Sequence, residues 1–340
     1  RRDASGTRED LANVPLAVEH LVKTYADGHR AVDDVSWAAQ RGQVVGLLGP
    51  NGAGKTTTIR MIAGLIRPDS GEAHVYGRPL RPGSPALAEV GTLIEGPGFL
   101  PHLTGRDNLR AYWAATGRPA DESHLDEALE IAALGDAIER PVRSYSHGMK
   151  QRLGIAQAML GMPDVLILDE PTNGLDPPQI AAMRPVLREY AQSGRTVVVS
   201  SHLLAEVEMT CSHVVVMHRG RVVSAGAVAD LVDSSDTTIV ELDGDAAAAR
   251  RVAGALRAGS RRRFRRGEGL TGLRSVQVDA NSEPLRMIVV ADAPRADVVA
   301  AVVRAGGDIV SVSGRRHLEE VFLGVIAADD VEAGRTVRPR

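Results

Sequence analysis

Lys55 stands at the end of a glycine-rich stretch, "GPNGAGKT", with Thr57 next in line. Gly49, Gly54, Lys55 and Thr56 match the pattern G-x-x-x-x-G-K-[ST]. Glycines lack a Cβ, so successive backbone N–H groups can turn inward around an anion. A helix starting near Lys55 adds the positive end of its dipole. In such a cradle Lys55 reaches the β- and γ-phosphates of a nucleotide, and the Thr56 hydroxyl holds Mg²⁺. A second group is acidic: Asp169 and Glu170 close the stretch "DVLILDE". Asp169 emerges at the C-terminal end of an apolar strand, where ligands bind in open α/β sheets. It is expected to orient Mg²⁺ through water. Glu170 faces another way and is assigned as the base that polarises an attacking water. The plain alternatives are a glycine turn with a surface lysine, and a pair of solvated carboxylates. The strand–turn–helix context and the apolar strand argue against both.

Strands and helices must alternate to hold these groups. "GQVVGLLG" reads as a buried strand ending at the cradle, and "KTTTIRMIAGLI" as the helix that leaves it. Before them, "LAVEHLVKTY" and "AVDDVSWAA" read as strands around the turn "ADGHR". Further strands are expected at "EAHVYG", "DVLILDE", "RTVVVSS" and "HVVVMHRGRVV". Helices are expected at "PPQIAAMRPVLREYAQSG" and "LLAEVEMTC". The alternation predicts a largely parallel α/β sheet. Residues of about 100–160 are helical only and read as an inserted helical subdomain. Composition shifts after "SAGAVADLVDSSD", and the order beyond it is β-α-β-β-α-β, the split βαβ pattern. The expected organisation is a disordered tail over 1–13, a nucleotide-binding domain over 14–231, an α+β accessory domain over 232–328 and a tail over 329–340.

Composition bounds the partners. The chain has 340 residues, 44% hydrophobic and 24% charged, ordinary for a soluble globular protein. A net charge of -3 makes no electrostatic case for nucleic acid, and none is expected as a partner. The single cysteine, Cys211, excludes an internal disulfide framework and is read as packing. No apolar run approaches the roughly 18 residues of a membrane span, and "RRDASGTRED" lacks the apolar core of a signal peptide. "RRRFRR" (Arg261 to Arg266) could meet anionic lipid, but a solvated loop is the simpler reading.

"YSHGMKQRLGIAQAML" lies between the two phosphate motifs, and "NGLDP" and "VVVSSH" follow them. Together with "GPNGAGKTT" and "LILDEPT", these resemble the ATP-binding cassette family from about Leu16 to Val223. The resemblance implies a P-loop NTPase core with antiparallel strands and an inserted helical subdomain. It implies ATP and Mg²⁺ as ligands, with Gly49, Pro50, Asn51, Gly52, Ala53, Gly54, Lys55, Thr56 and Thr57 around the phosphates. Tyr25 is similar to the aromatic that stacks on adenine. Ser146 and Gly148 match the signature motif that caps the γ-phosphate of a nucleotide held by a partner molecule. A serine hydroxyl and free N–H groups at a helix start suit that task. Gly174, Leu175 and Asp176 match the loop that crosses the dimer interface. His202 matches the histidine on the γ-phosphate, and Glu170 the catalytic glutamate.

Three positions depart from the family pattern. His147 stands where the first of two signature glycines is usual. Glu95, in "VGTLIEGPG", stands where many members carry a metal-directed glutamine. A carboxylate can still accept from Mg²⁺-bound water but cannot donate as an amide does. Met149 replaces a glutamine. In this family the cradle and the signature act on opposite faces, so two chains meet head to tail around two nucleotides. A separate transmembrane permease subunit is implied, which sets the chain at the cytoplasmic face of the membrane. "LEEVFL" (Leu318 to Leu323) resembles cassettes of the drug- and bacteriocin-export branch, which suggests an antibiotic, drug or peptide as cargo. The alternatives are an importer subunit, a module in which the second domain senses a small ligand, and a soluble cassette acting on ribosomes or DNA. Those last usually fuse two cassettes or carry long coiled coils, and this chain shows neither. Phe99 and Leu103, in "GPGFLPHLTG", are expected to line a groove for a permease helix, with ordinary core packing as the equal alternative.

Overall fold

The computed structural model describes residues 11–232, 237–261, 270, 272–279, 282, 284–313 and 318–332. The chain divides into two compact units, with breaks after Val228 and before Gly324.

The first unit opens with β1 (Leu16–Thr24), β2 (Arg30–Ala39) and β3 (Val44–Leu48), then α1 (Lys55–Ile62), β4 (Ser70–Val75) and β5 (Arg78–Pro79). β6 (Val90–Leu93) precedes a helical block of α2 (Gly105–Ala115), α3 (Leu125–Ala132) and α4 (His147–Met159). Then follow β7 (Val165–Asp169), α5 (Pro177–Gln192), β8 (Thr196–Ser201), α6 (Leu204–Thr210), β9 (His213–His218) and β10 (Arg221–Ala227). Two sheets result. One is antiparallel, in the order β2-β1-β4-β5, and the other has six strands, β10-β9-β3-β8-β7-β6. β9, β3, β8, β7 and β6 pair parallel, and only β10 runs antiparallel. Every residue of β3, β7 and β8 is buried, which explains their near-continuous apolar runs: both faces are covered. Cys211 packs near Gly46 of β3, and burial pushes its thiol up to about 12.

The helical block has a core of its own, built on Leu109, Trp113, Ala128, Ile138 and Leu153. The stretch "HVVVMHRGRVV", read as one strand, is two. Arg219 and Gly220 both adopt positive φ (48° and 78°), as a two-residue hairpin turn that follows sheet twist requires. β6 escaped the sequence reading because four residues carry too little periodicity.

The second unit begins within a short helix, α7 (Val228–Val232), and continues through β11 (Thr237–Asp243), α8 (Ala246–Arg261), β12 (Leu273–Asp279), β13 (Leu285–Ala291), α9 (Arg295–Arg304) and β14 (Asp308–Ser313). Its antiparallel sheet has the order β12-β13-β11-β14. Val252, Leu256, Val298 and Val302 of the helices share its core with Val240 and Val289 of the strands. The β-α-β-β-α-β order and this strand order are those of a split βαβ sandwich. Of the arginine-rich stretch, Arg262 to Arg266 lie outside the described residues.

The ends differ from expectation. Leu11 to Val14 form a turn closed by Val14 N–H donating to Leu11 O (3.0 Å), and Val14 O accepts from Tyr76 N–H. Residues 1–10 and 333–340 lie outside the described residues. Residues 329–332, read as tail, belong to helix α10 (Leu318–Glu332). Within the first unit, Asp329 of that helix sits 2.7 Å from Nδ1 of the buried His218.

Candidate functional site

β8 lies between β3 and β7, and the three strands end level. Ser200 of β8 is opposite Leu47 on one side and Asp169 on the other. The chemistry-bearing side chains gather at these C-terminal ends.

β3 runs into the glycine loop. Gly54 caps α1 with φ 98°, and Gly52 has φ 80°. A Cβ on Gly54 would strike the Ala31 carbonyl, and one on Gly49 the Met217 carbonyl, so only glycine fits either place. Lys55 is buried, and its Nζ donates to the carbonyls of Gly49 (2.7 Å) and Pro50 (3.3 Å). Burial lowers its pKa, while the negative charges of Glu170 and Asp169 oppose that shift. Above the loop opens a cleft of about 410 Å³. Asn51, Gly52, Ala53, Gly54, Lys55, Thr56 and Thr57 line it, together with Tyr25, Glu170 and His202. The Tyr25 hydroxyl lies 3.3 Å from Thr57 Oγ1.

The two acidic residues are held differently. Asp169 is buried; its Oδ1 accepts from Ser200 Oγ (2.5 Å) and lies 3.5 Å from Thr56 Oγ1. Glu170 reaches the cleft, where its Oε2 is 2.8 Å from His202 Nδ1. Its backbone adopts φ 49°, a region that non-glycine residues rarely occupy. Glu170, His202 and Lys55 thus line one cleft.

Other expected site residues stand apart from this cleft. Ser146 caps α4, accepting from Met149 N–H at 3.2 Å. Gly148 is backed by the Gln179 side-chain amide, which a Cβ there would have to push aside. Asp176 caps α5 in a reciprocal capping box with Gln179. His147 folds over Gly174, whose φ of 74° and missing Cβ make the space. A carbonyl only accepts, so His147 Nε2 donates to Asn173 O, at 3.1 Å. Glu95 is a departure from expectation: its carboxylate pairs with Arg60 in the last turn of α1 and does not line the cleft. Phe99 and Leu103 also differ. Phe99 packs against the core of the helical block, and Leu103 is half-buried. Leu100, 51% exposed, is the apolar side chain this loop presents. Asn108 pins the loop, accepting from Leu100 N–H (2.8 Å) and donating to the carbonyls of Leu100 and Thr104.

Four residues of the site were missed in the sequence. His29, Ala31 and Asn173 line the cleft, and Ser200 binds both acidic residues. His29 closes the turn after Tyr25, and Asn173 follows Glu170 by one loop. Both were legible as neighbours of motif residues, whereas Ser200 becomes visible only once β8 is placed beside β7.

The profile of the ABC transporter family matches residues 32–173, from β2 through the loop after Glu170. Bacitracin transport ATP-binding protein BcrA of Bacillus licheniformis is 42% identical over 203 residues, 59% of this chain and 66% of that protein. Nod factor export ATP-binding protein I of Ralstonia nicotianae is 37% identical over 235 residues, 68% of this chain and 73% of that protein. The chain belongs to the ABC transporter family, as an ATP-binding protein. A solved ATP-binding subunit of an ABC transporter superposes with TM-score 0.58 at 33% identity, covering 64% of this chain and 91% of its own. The chain is thus an ABC ATPase, and its P-loop NTPase fold is the one the motifs implied. Among the described residues, no helix of this ABC protein is long and apolar enough to cross a membrane.

Proposed function

We propose that this chain is the ATP-hydrolysing subunit of an ABC exporter, acting as a head-to-tail dimer on a separate transmembrane permease at the cytoplasmic face of the membrane. The observation that carries the reading is the convergence of Lys55, Glu170 and His202 on one cleft, with Ser146 and Gly148 outside it. A cradle without a capping serine of its own suits a site completed by a second copy. The likeness to a Nod factor export protein and to a bacitracin transport protein supports export, with a drug, antibiotic or peptide as cargo.

Within the site, the loop N–H groups and Lys55 bind and orient the β- and γ-phosphates, and Tyr25 stacks on adenine. Glu170 takes the proton of the attacking water, and His202 holds its carboxylate in place from 2.8 Å. Mg²⁺ fits the donors present: the Thr56 hydroxyl and the Asp169 carboxylate are hard oxygen ligands 3.5 Å apart. Among the described residues, no group of three or more His, Cys, Asp or Glu could hold a metal. Mg²⁺ commonly relies on one or two protein ligands plus substrate phosphates. When bound, Mg²⁺ supplies positive charge to the β- and γ-phosphate oxygens. Glu95 could join it only by releasing Arg60.

The test is capture. The purified chain, immobilised and exposed to detergent-solubilised membranes of its source, should retain an integral protein with several membrane spans. Retention of ribosomal proteins in its place would sink the reading. Leu100→Asp should cut that capture about tenfold, the effect of removing one well-placed apolar side chain from an interface, and leave the basal ATPase of the free chain unchanged. Phe99→Ala should instead lower the unfolding free energy, seen as a drop in melting temperature, by less than the about 3–5 kcal/mol typical of a fully buried Phe.

A further inference from the structure

We propose that Ser200 is a positioning residue for hydrolysis, holding the Asp169 carboxylate and the backbone of Glu170 as one unit. The inference rests on the ATPase reading of the cleft. Ser200 is fully buried on β8, between the strand that delivers the glycine loop and the strand that delivers the two carboxylates. Its hydroxyl uses both of its capacities. It donates to Asp169 Oδ1 at 2.5 Å and accepts from the Glu170 backbone N–H at 2.8 Å.

Each bond corrects a different weakness. Asp169 Oδ1 is also the oxygen that faces Thr56. A carboxylate free to rotate would present either oxygen there, and the hydroxyl of Ser200 removes that freedom. Glu170 sits at φ 49°, a strained backbone that persists only where surrounding bonds over-determine it. The N–H of Glu170 would be left without this partner if residue 200 carried no hydroxyl. The chain of bonds also has one direction. Asp169 accepts, so Ser200 must donate to it, so only the lone pairs of Ser200 remain for Glu170 N–H. The metal-side carboxylate and the base are therefore set by one oxygen atom, although 31 residues separate Asp169 from Ser200.

The test uses Ser200→Ala and Ser200→Thr in the full chain. Ser200→Ala should lower kcat about 10- to 100-fold, the range for losing a hydrogen bond to a charged group in a reacting site. The second readout is independent of turnover: ADP affinity by calorimetry, once in EDTA and once with MgCl₂. In EDTA the variant should match wild type, because the glycine loop and Lys55 are untouched. The gain in affinity that wild type shows on adding Mg²⁺ should shrink. Ser200→Thr keeps the hydroxyl and should restore both kcat and the Mg²⁺ gain. Wild-type kcat with an unchanged Mg²⁺ gain in Ser200→Ala would overturn the proposal. So would ADP binding lost in EDTA as well, the mark of a collapsed cradle. Failure of the underlying ATPase reading shows separately, as a Lys55→Ala variant that turns over like wild type.

Discussion

Glu170→Gln should bind ATP with Mg²⁺ and fail to hydrolyse it, with turnover reduced about 10²- to 10⁴-fold, the range for losing a general base. The substitution keeps size and hydrogen bonding but removes the proton acceptor. Lys55, Thr56 and Asp169 stay in place, and Ser200 still accepts the backbone N–H at residue 170. One negative charge also leaves the neighbourhood of the γ-phosphate, which favours a closed dimer. Size-exclusion chromatography with light scattering should therefore find the variant as a stable homodimer with ATP and Mg²⁺, and as a monomer with ADP. Wild type should be mostly monomer after turnover. A variant that hydrolyses ATP at the wild-type rate would move the base elsewhere, to His202 first. An inactive variant that stays monomeric with ATP would put the shared-site geometry in doubt, beginning with His147 and its hold on the Asn173 carbonyl.

Lys55→Ala should abolish turnover and weaken ATP binding about 10- to 100-fold, as expected for a lost charge-assisted bond to phosphate. Lys55 is 6% exposed, so its removal also takes a donor from the Gly49 and Pro50 carbonyls, of which Pro50 O keeps the Ala53 N–H. Circular dichroism should show a folded protein, because the three strands that form the site do not depend on Lys55 for their pairing. Near-normal turnover in the purified variant would remove the cradle from the mechanism. The two substitutions are expected to differ in kind: one leaves a tight complex that cannot react, the other a site that no longer holds its nucleotide.

Features that lie along the chain were the legible ones. The cradle is contiguous from Gly49 to Thr57, and Asp169 and Glu170 are adjacent, so spacing alone carries their chemistry. The parallel sheet was legible because buried strands leave apolar runs in "VVGLL" and "VLILD". What strand order decides stayed hidden. Ser200 reads as an ordinary residue of "VVVSSH" until β8 is known to separate β3 from β7. Glu95 looked available to a metal because nothing in the sequence ties it to Arg60, 35 residues away. For Phe99 the sequence left a permease groove and core packing open, and the structure packs it against the core of the helical block, a contact that depends on how that block folds. The turn at Arg219 and Gly220 was missed for a different reason. An arginine at positive φ is uncommon, and glycine alone did not outweigh the apolar residues on either side.

The ATPase unit draws on both ends of the described chain. It is interrupted after Val228 and resumes at Gly324, and Asp329 there meets His218, the neighbour of Met217, whose carbonyl crowds Gly49. During synthesis the glycine loop, both acidic residues and His202 all leave the ribosome before the intervening unit is made. The unit that bears them lacks the segment from Gly324 onward until the intervening unit has been made. Domains tend to fold in order as they emerge, and here that order is crossed: the second unit can finish before the first. A shortened chain ending at Val228 would carry every residue of the nucleotide cleft and still lack a piece of its own fold.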